Sequence, residues 1–374
     1  MNQVRKQHSD YWLSLTVFGL IVFGLVMIYS VSKYYSLDIT NGRTDKYFLI
    51  RQLIFLAIGL VTWVVFQAID YRYWQKNAKT MFFATIGLLL LPIILKPFGV
   101  SSAGRWINLG FSNFQPAEVA KLTMIFYLAG WLGSLRENTK AVERSFWLYI
   151  LIVGFVAVLM LLQKDLGTLS IFILIAASII VVAGAPLYQI LTGGGLAFFL
   201  GWLAVKIEPY RLARLTAFLN PNSADTGATY HIRNALIAIG SGGIWGLGFG
   251  QSKQKYLYLP EAHTDSIFAI ICEELGLVRA AIIPLVFTFL ALRGFKIARE
   301  APDIFARLTA VGITVWIFGQ MIINIAAMLS LVPLTGVPLP FISYGGTSLV
   351  VLLAAVGVLT NISKNRVISK NATR

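Results

Sequence analysis

Apolar runs long enough to cross a bilayer as a helix, about 20 residues each, recur along the whole of this 374-residue chain. About ten qualify: residues 11–31, 49–69, 80–96, 116–134, 146–163, 167–185, 187–206, 267–293, 307–330 and 345–362. The narrowest seams are at 163–167 and 185–186. In hydrocarbon every backbone N–H and C=O must be satisfied inside the segment, which a helix achieves and an isolated strand does not. The expected fold class is therefore all-α, a polytopic membrane protein of about ten transmembrane helices, with residues 1–374 forming a single integral membrane domain. The first run follows Arg5 and Lys6 as a signal sequence would, but it is full span length and has no small-x-small cleavage site, so it reads as an uncleaved helix.

Composition narrows the partners. The chain is 57% hydrophobic and 13% charged, against about 25% charged in soluble proteins. Its net charge is +15, yet no basic tract or nucleic-acid motif is present, so nucleic acid is not an expected partner. Anionic membrane lipid and phosphate groups are. One cysteine, Cys272, sits in an apolar stretch, so neither a disulfide framework nor a Cys/His metal cluster is expected.

Lys and Arg in short loops mark the cytoplasmic side. With the N-terminus inside, that side receives Arg5 and Lys6, Arg72, Lys76 and Lys79, Arg136, Lys140 and Arg144, then Arg293, Lys296, Arg299 and Arg307. Lys364, Arg366, Lys370 and Arg374 follow, so both termini are expected to be cytoplasmic. The segment of about 207–266, between the seventh and eighth helices, then lies outside despite carrying Arg211, Arg214, Arg233, Lys253 and Lys255. It is too long for a simple connector. Its apolar 235–239 stretch and the glycine-rich SGGIWGLGFG at 241–250 predict re-entrant or interfacial structure.

Four loop segments could carry chemistry. KQKYLYLPEAHTDSIFAIICEELG at 253–276 puts Glu261, His263 and Asp265 at the mouth of the eighth helix. A carboxylate there is costly unless used or paired, although Thr264 or Asp265 could simply cap the helix. GRWINLGFSNFQPAEVAKL at 104–122 holds Arg105 and Trp106, and it enters the fourth helix at Pro116. There Arg105 could meet a phosphate, and Trp106 could be an interfacial anchor. Glu118 and Lys121 stand three apart and can pair on one helix face, which would make them structural. QKDLGTLS at 163–170 places Asp165 where it could cap the sixth helix or pair with a cation. VPLTGVPLPFISYGGTS at 332–348 is uncharged and rich in Pro and Gly, a rigid turn whose exposed backbone donors could hold a sugar or phosphate.

Taken in order, QPAE..KL, D-L-G-T, PEAHTD followed by EELG, and PLPFISYGGTS resemble the SEDS (shape, elongation, division, sporulation) family over nearly the whole chain. SKQKYLYLPEAHTD and the preceding GLGFGQS are more similar to its division branch than to its elongation branch. The resemblance implies a peptidoglycan glycosyltransferase that polymerises lipid II on the outer face of the cytoplasmic membrane, in septal wall synthesis. It also implies a class B penicillin-binding protein as crosslinking partner, alongside other division proteins. A divalent cation, Mg or Mn, is implied by the family alone, since no ligand set stands out in the sequence. Ser266 where Phe is common, Lys164 before the Asp of D-L-G-T, Ala117 for a frequent Ser, and Arg279 after EELGLV depart from the pattern.

The resemblance makes Asp265 the essential aspartate, and here it is assigned as the base that takes the acceptor hydroxyl's proton. The reaction is an inverting transfer from an α-linked lipid diphosphate to a β-linked polymer. Candidates for binding the substrate and its diphosphate are Arg105, Trp106, Arg211, Arg214, Lys253 and Lys255, with His263 as an orienting group. Each cation could instead meet lipid headgroups. Glu118, Lys121, Asp165 and Glu261 are expected to support the site. Two other functions fit a chain of this kind: a lipid II flippase, which needs charges along a transmembrane path, and a non-catalytic scaffold that recruits a synthase.

Overall fold

The computed structural model describes residues 9–99, 101–102, 104–110, 112–135, 139–220 and 227–365. Their helices are α1 (Tyr11–Ile39), α2 (Tyr47–Ala68), α3 (Tyr71–Leu95), α4 (Pro116–Leu135), α5 (Thr139–Arg144), α6 (Phe146–Leu162) and α7 (Leu166–Ala183). After these come α8 (Leu187–Ile207), α9 (Pro209–Leu219), α10 (Gly227–Gly242), α11 (Ile267–Ala280), α12 (Ile282–Arg299), α13 (Ile304–Met328) and α14 (Gly346–Lys364).

Every expected span falls on a helix, but the lengths differ. Seven helices, α1, α2, α3, α7, α8, α13 and α14, are long and apolar enough to cross a membrane by themselves, and eight spans result if α11 and α12 count as one. At 17 residues α6 is shorter than a full span, and α4 carries the charged pair Glu118 and Lys121 in its first turns. Of the residues assigned to cytoplasmic loops, Arg72, Lys76 and Lys79 instead form the first turns of α3, which Asp70 caps by accepting from the Arg72 N–H at 2.9 Å. The apolar run begins only once the helix is under way, so hydropathy marks the hydrocarbon and not the helix. Arg5, Lys6, Arg136, Arg366, Lys370 and Arg374 lie outside the described residues.

The core is built around α13 and α14. In their apolar windows 67% and 78% of residues are buried, against 6% in α8. α14 packs along α2, while α13 packs on α4, α7 and α12. Gly357 lets α14 approach the α2 backbone at Trp63, where a Cβ would stand 2.7 Å from the carbonyl oxygen. Trp316, Phe172, Phe287 and Ile125 are fully buried.

Two features depart from a plain helical bundle. The expected loop at 104–122 forms a small antiparallel sheet with the residues just before it, β1 (Ser101–Ser102), β2 (Trp106–Asn108) and β3 (Asn113–Phe114), with Ile107 paired to both Ser101 and Phe114. The expected single span 267–293 is broken. α11 and α12 bend by 68°, and Gly276 has φ 80° inside α11. The glycine-rich stretch supplies what the break needs. Leu247 and Gly248 donate N–H to the carbonyls of Glu273 and Glu274 at 2.9 and 3.0 Å, and Leu277 donates to Gly243 at 3.0 Å. A Cβ on Gly276 would stand 2.3 Å from the Gly246 nitrogen, so only glycine allows this approach. The 207–266 segment is thus α9, α10 and a turn-rich loop docked on a broken helix.

Candidate active site

The loop 253–266, between α10 and α11, is fixed before any catalytic role is considered. Glu261 adopts φ 51°, and its carbonyl accepts the N–H groups of Thr264 and Ser266 at 3.0 and 3.2 Å. Ser266 then donates its hydroxyl to the Pro260 carbonyl at 3.0 Å. The result is a tight turn that lifts Asp265 out just ahead of α11. The N-cap of α11 is Ser266, and no side chain caps it, so neither Thr264 nor Asp265 spends its side chain on the helix end.

Asp265 is 8% exposed. Its carboxylate receives one long bond, from the Thr264 hydroxyl at 3.4 Å. Burial first, and then the Glu261 carboxylate, push its pKa up to about 7, while the Arg214 guanidinium pulls it down. Arg214 belongs to α9 and donates to the Leu334 carbonyl at 2.9 Å and to the Tyr210 hydroxyl, with its guanidinium 4.6 Å above the Tyr210 ring. Gly336, at φ 71°, separates the two charges. A Cβ there would stand 3.6 Å from the Asp265 carboxylate and 3.9 Å from the guanidinium. Carboxylate and guanidinium therefore both stand beside Gly336 of the 332–345 loop.

That loop is anchored from three directions. Asn324 of α13 donates to the carbonyls of Asp265 and Val337, both at 2.7 Å. Tyr344 donates its N–H to the His263 carbonyl at 2.9 Å. Gln320 donates to the Pro338 carbonyl at 2.9 Å and accepts from Lys121 and Trp316 at 3.3 and 2.8 Å. The Lys121 and Glu118 pair, 2.8 Å apart and 1% and 3% exposed by side chain, is thus a buried brace that reaches the loop through Gln320. Asp165 caps α7, accepting from the Thr168 N–H and hydroxyl and from Gln115 at 3.1, 2.9 and 2.7 Å. Two residues on, Gly167 leaves room for the loop, since a Cβ there would meet the Thr335 carbonyl at 2.5 Å.

The structure moves several expected ligands away from the site. Lys255 is 3% exposed and donates to Glu274 at 2.8 Å, to the Gly250 carbonyl at 2.6 Å and to Ser30 at 3.4 Å. It cannot reach a diphosphate without stranding Glu274. Arg211 is buried and donates to the carbonyls of Ala204 and Leu161 at 3.0 and 2.9 Å, closing the ends of α8 and α6. Lys253 is exposed on the loop surface, with its N–H on Glu273 at 2.9 Å. Trp106 opens β2 of the small sheet and Arg105 lies in the turn just before it. Thr347 of α14 ties the sheet down by donating to Asn113 at 3.2 Å, and no contact joins either residue to Asp265 among the described residues. The buried Nε of Arg105 has no hydrogen-bond partner among the described residues.

His263 lies 4.3 Å from the Phe48 ring and 5.0 Å from Tyr35, and burial lowers its pKa to about 4, so it is neutral. Glu261 is exposed and accepts from Thr264 at 2.8 Å. Lys164 pairs with Glu208 at 3.1 Å, and Arg279 donates to the Trp245 carbonyl at 3.3 Å, so both departures from the family pattern hold neighbouring loops.

Sequence reading missed Asn324, Gln320 and His231. The first two are uncharged polar residues inside an apolar helix, a placement that ordinarily signals a buried hydrogen-bond partner.

Comparison with known proteins decides the family. The cell cycle protein model of FtsW, RodA and SpoVE matches residues 11–368. The chain belongs to the FtsW/RodA/SpoVE family. It is 38% identical to the stage V sporulation protein E of Bacillus subtilis, covering 96% of this chain and 98% of that protein. It is 39% identical to a probable peptidoglycan glycosyltransferase FtsW of Trichlorobacter lovleyi, covering 96% and 94%. Among solved structures, it superposes on a chain of a peptidoglycan synthase complex, described as coordinating polymerization and crosslinking, with TM-score 0.76 and 25% identity, covering 95% and 97%. The rod shape determining protein RodA of Thermus thermophilus gives TM-score 0.71 at 26% identity, covering 96% and 98%. As an FtsW/RodA/SpoVE member the chain is a multi-pass membrane protein.

Proposed function

We propose that this chain is a peptidoglycan glycosyltransferase that polymerises lipid II at the outer face of the cytoplasmic membrane, in septal wall synthesis during division. The observation that carries the reading is Asp265: a buried carboxylate, not used as a helix cap, that shares a small space beside Gly336 with the Arg214 guanidinium. Relatives named peptidoglycan glycosyltransferase FtsW support the reaction class.

The chemistry follows from these two groups. The acceptor's sugar hydroxyl attacks the anomeric carbon of the donor, the bond to the diphosphate oxygen breaks, and configuration inverts. Asp265 takes the hydroxyl proton, and a pKa near 7 makes it more basic than an ordinary carboxylate while leaving about half of it ionised at pH 7. Arg214 offsets the negative charge that collects on the departing diphosphate, which a planar fork of donors suits. A divalent cation, when bound, would offset the same charge. Among the described residues no three His, Cys, Asp or Glu side chains come together, so such an ion would take its ligands mainly from phosphate and water. Glu261, exposed and bonded through one carboxylate oxygen to Thr264, would be the nearby carboxylate to meet it. A class B penicillin-binding protein and other division proteins are the proposed partners, consistent with the likeness to a chain of a peptidoglycan synthase complex.

The flippase reading loses its best residues, because Glu118 and Lys121 are sealed against Gln320 and Trp316 and line no path. The test is polymerisation of fluorescent lipid II by the purified protein with its class B partner, comparing wild type with Asp265→Ala and Asp265→Asn, with partner binding measured in parallel. Glycan ladders from wild type alone, with binding intact, are expected. Equal ladders from all three would remove Asp265 as base, and no ladders from any would return the flippase and scaffold readings.

A further inference from the structure

His231 stands on α10, outside every motif singled out in the sequence, and its Nε2 lies 2.6 Å from the hydroxyl of Ser266. The Ser266 hydroxyl has one proton, which goes to the Pro260 carbonyl at 3.0 Å. His231 must therefore donate, with the proton on Nε2, and Ser266 accepts. Ser266 is fully buried and His231 is half-buried, so this bond does not compete freely with water.

The placement matters because of what lies next to it. Asp265 has little holding its own side chain, a single 3.4 Å bond from Thr264. Its position is set by its main chain. On one side Asn324 grips the Asp265 carbonyl at 2.7 Å. On the other, the next residue, Ser266, is fastened to Pro260 within the turn and to His231 across from α10. The Pro260, Glu261 and Ser266 bonds are internal to the turn, while Asn324 and the Tyr344 N–H hold its main chain to α13 and to the 332–345 loop. His231 adds a tie made through the Ser266 side chain, from α10.

We infer that His231 is a positioning residue: through Ser266 it fixes the peptide on which the Asp265 carboxylate stands. The inference rests on Asp265 being the base. A base displaced by a fraction of an ångström still lies in the site and still leaves the lipid-binding surfaces intact, so the loss falls on the chemical step. Ser266 and His231 then form one device: the hydroxyl that closes the turn onto Pro260 is also the acceptor through which the imidazole holds it.

The test uses the full chain with its class B partner and measures steady-state lipid II polymerisation for His231→Ala, Ser266→Ala, the double variant, His231→Gln and Asp265→Asn. The expected result is a loss in kcat of about tenfold in each single alanine variant, with KM within about twofold. The double variant should be no worse than Ser266→Ala alone, because the His231–Ser266 bond is already lost in that single variant, together with the bond to Pro260. Gln, whose amide can donate in the same direction, should restore kcat to within about twofold of wild type. Losses that multiply in the double variant, a change confined to KM, or wild-type kcat in His231→Ala would overturn the inference. If the alanine variants unfold in detergent, the Gln variant decides: a folded Gln variant with kcat about tenfold or more below wild type refutes positioning. Activity in Asp265→Asn would overturn it differently, by removing the base itself.

Discussion

The side-chain amide of Asn324, near the C-terminal end of α13, donates to the main-chain carbonyl of Asp265 at 2.7 Å. The same nitrogen also donates to Val337 at 2.7 Å, so one buried residue sets the spacing between the Asp265 turn and the loop opposite it. Replacing Asn324 with Leu is expected to leave both carbonyls without that donor. Buried unpaired groups cost about 1–3 kcal/mol each, and polymerisation should fall by at least about tenfold as the turn loses its anchor. Thermal unfolding in detergent, read beside glycan synthesis, checks both; a variant with full activity would show that the two loops hold each other unaided.

The raised pKa of Asp265 has a definite sign in activity. The base form is the ionised one, so kcat/KM should rise about tenfold per pH unit below about pH 7 and level off above it. Arg214 lowers that pKa. In Arg214→Gln the inflection should therefore move to higher pH, and Arg214→Lys should keep it nearer its place. For stability the sign reverses. The folded carboxyl binds its proton more tightly than an unfolded one at 3.8, so its contribution is fully present below that value and is lost as pH rises through about 7. Pre-steady-state rates across pH 5.5 to 9 measure the first effect, with roughly unit slope expected on the acid limb.

Lys255 separates a structural role from a ligand role. Both it and Glu274 are buried, 4% and 0% exposed by side chain. Lys255→Met strands Glu274, and breaking a buried pair costs about 3–5 kcal/mol. The variant is expected to unfold at markedly lower temperature, while the fraction that remains folded keeps the wild-type KM for lipid II. A raised KM with unchanged unfolding temperature would restore Lys255 to the substrate site.

The helix break makes a prediction about glycine. Gly276 has φ 80°, and a Cβ would stand 2.3 Å from the Gly246 nitrogen. Gly276→Ala therefore meets both a strained backbone and a main-chain clash, and it should destabilise by more than about 1 kcal/mol. Gly87, in α3, has open space around it and a helical conformation, so Gly87→Ala should be neutral or mildly stabilising. Expression and unfolding temperature of the pair of variants test the comparison.

The site was partly legible because charge is rare in this chain. Asp265 and Arg214 stood out in an outer segment where every ionised group is conspicuous, and the structure brings both to Gly336. Lys255 and Arg211 stood out equally, yet they proved to be spent on Glu274 and on helix-end carbonyls. Nothing local distinguishes the two pairs, because whether a cation is free depends on which distant acceptors the fold places beside it. Asn324 and His231 were missed for the converse reason: their partners lie 59 and 35 residues away in the chain.

By itself the sequence determined the solvent this protein folds in and hence its elements, since runs of apolar residues in hydrocarbon can satisfy their backbone only as helices. Its motifs also determined the family. Tertiary structure alone decided that the expected eighth span would break at Gly276, because the break is stable only where Leu247, Gly248 and Gly243 supply the hydrogen bonds the helix gives up. It decided, too, that Asp265 would be a buried carboxylate facing Arg214 and not a helix cap. Capping is a local choice between residues next to each other. Burial and a raised pKa come from α9, α13 and the 332–345 loop closing over one turn, which only the packed chain can do.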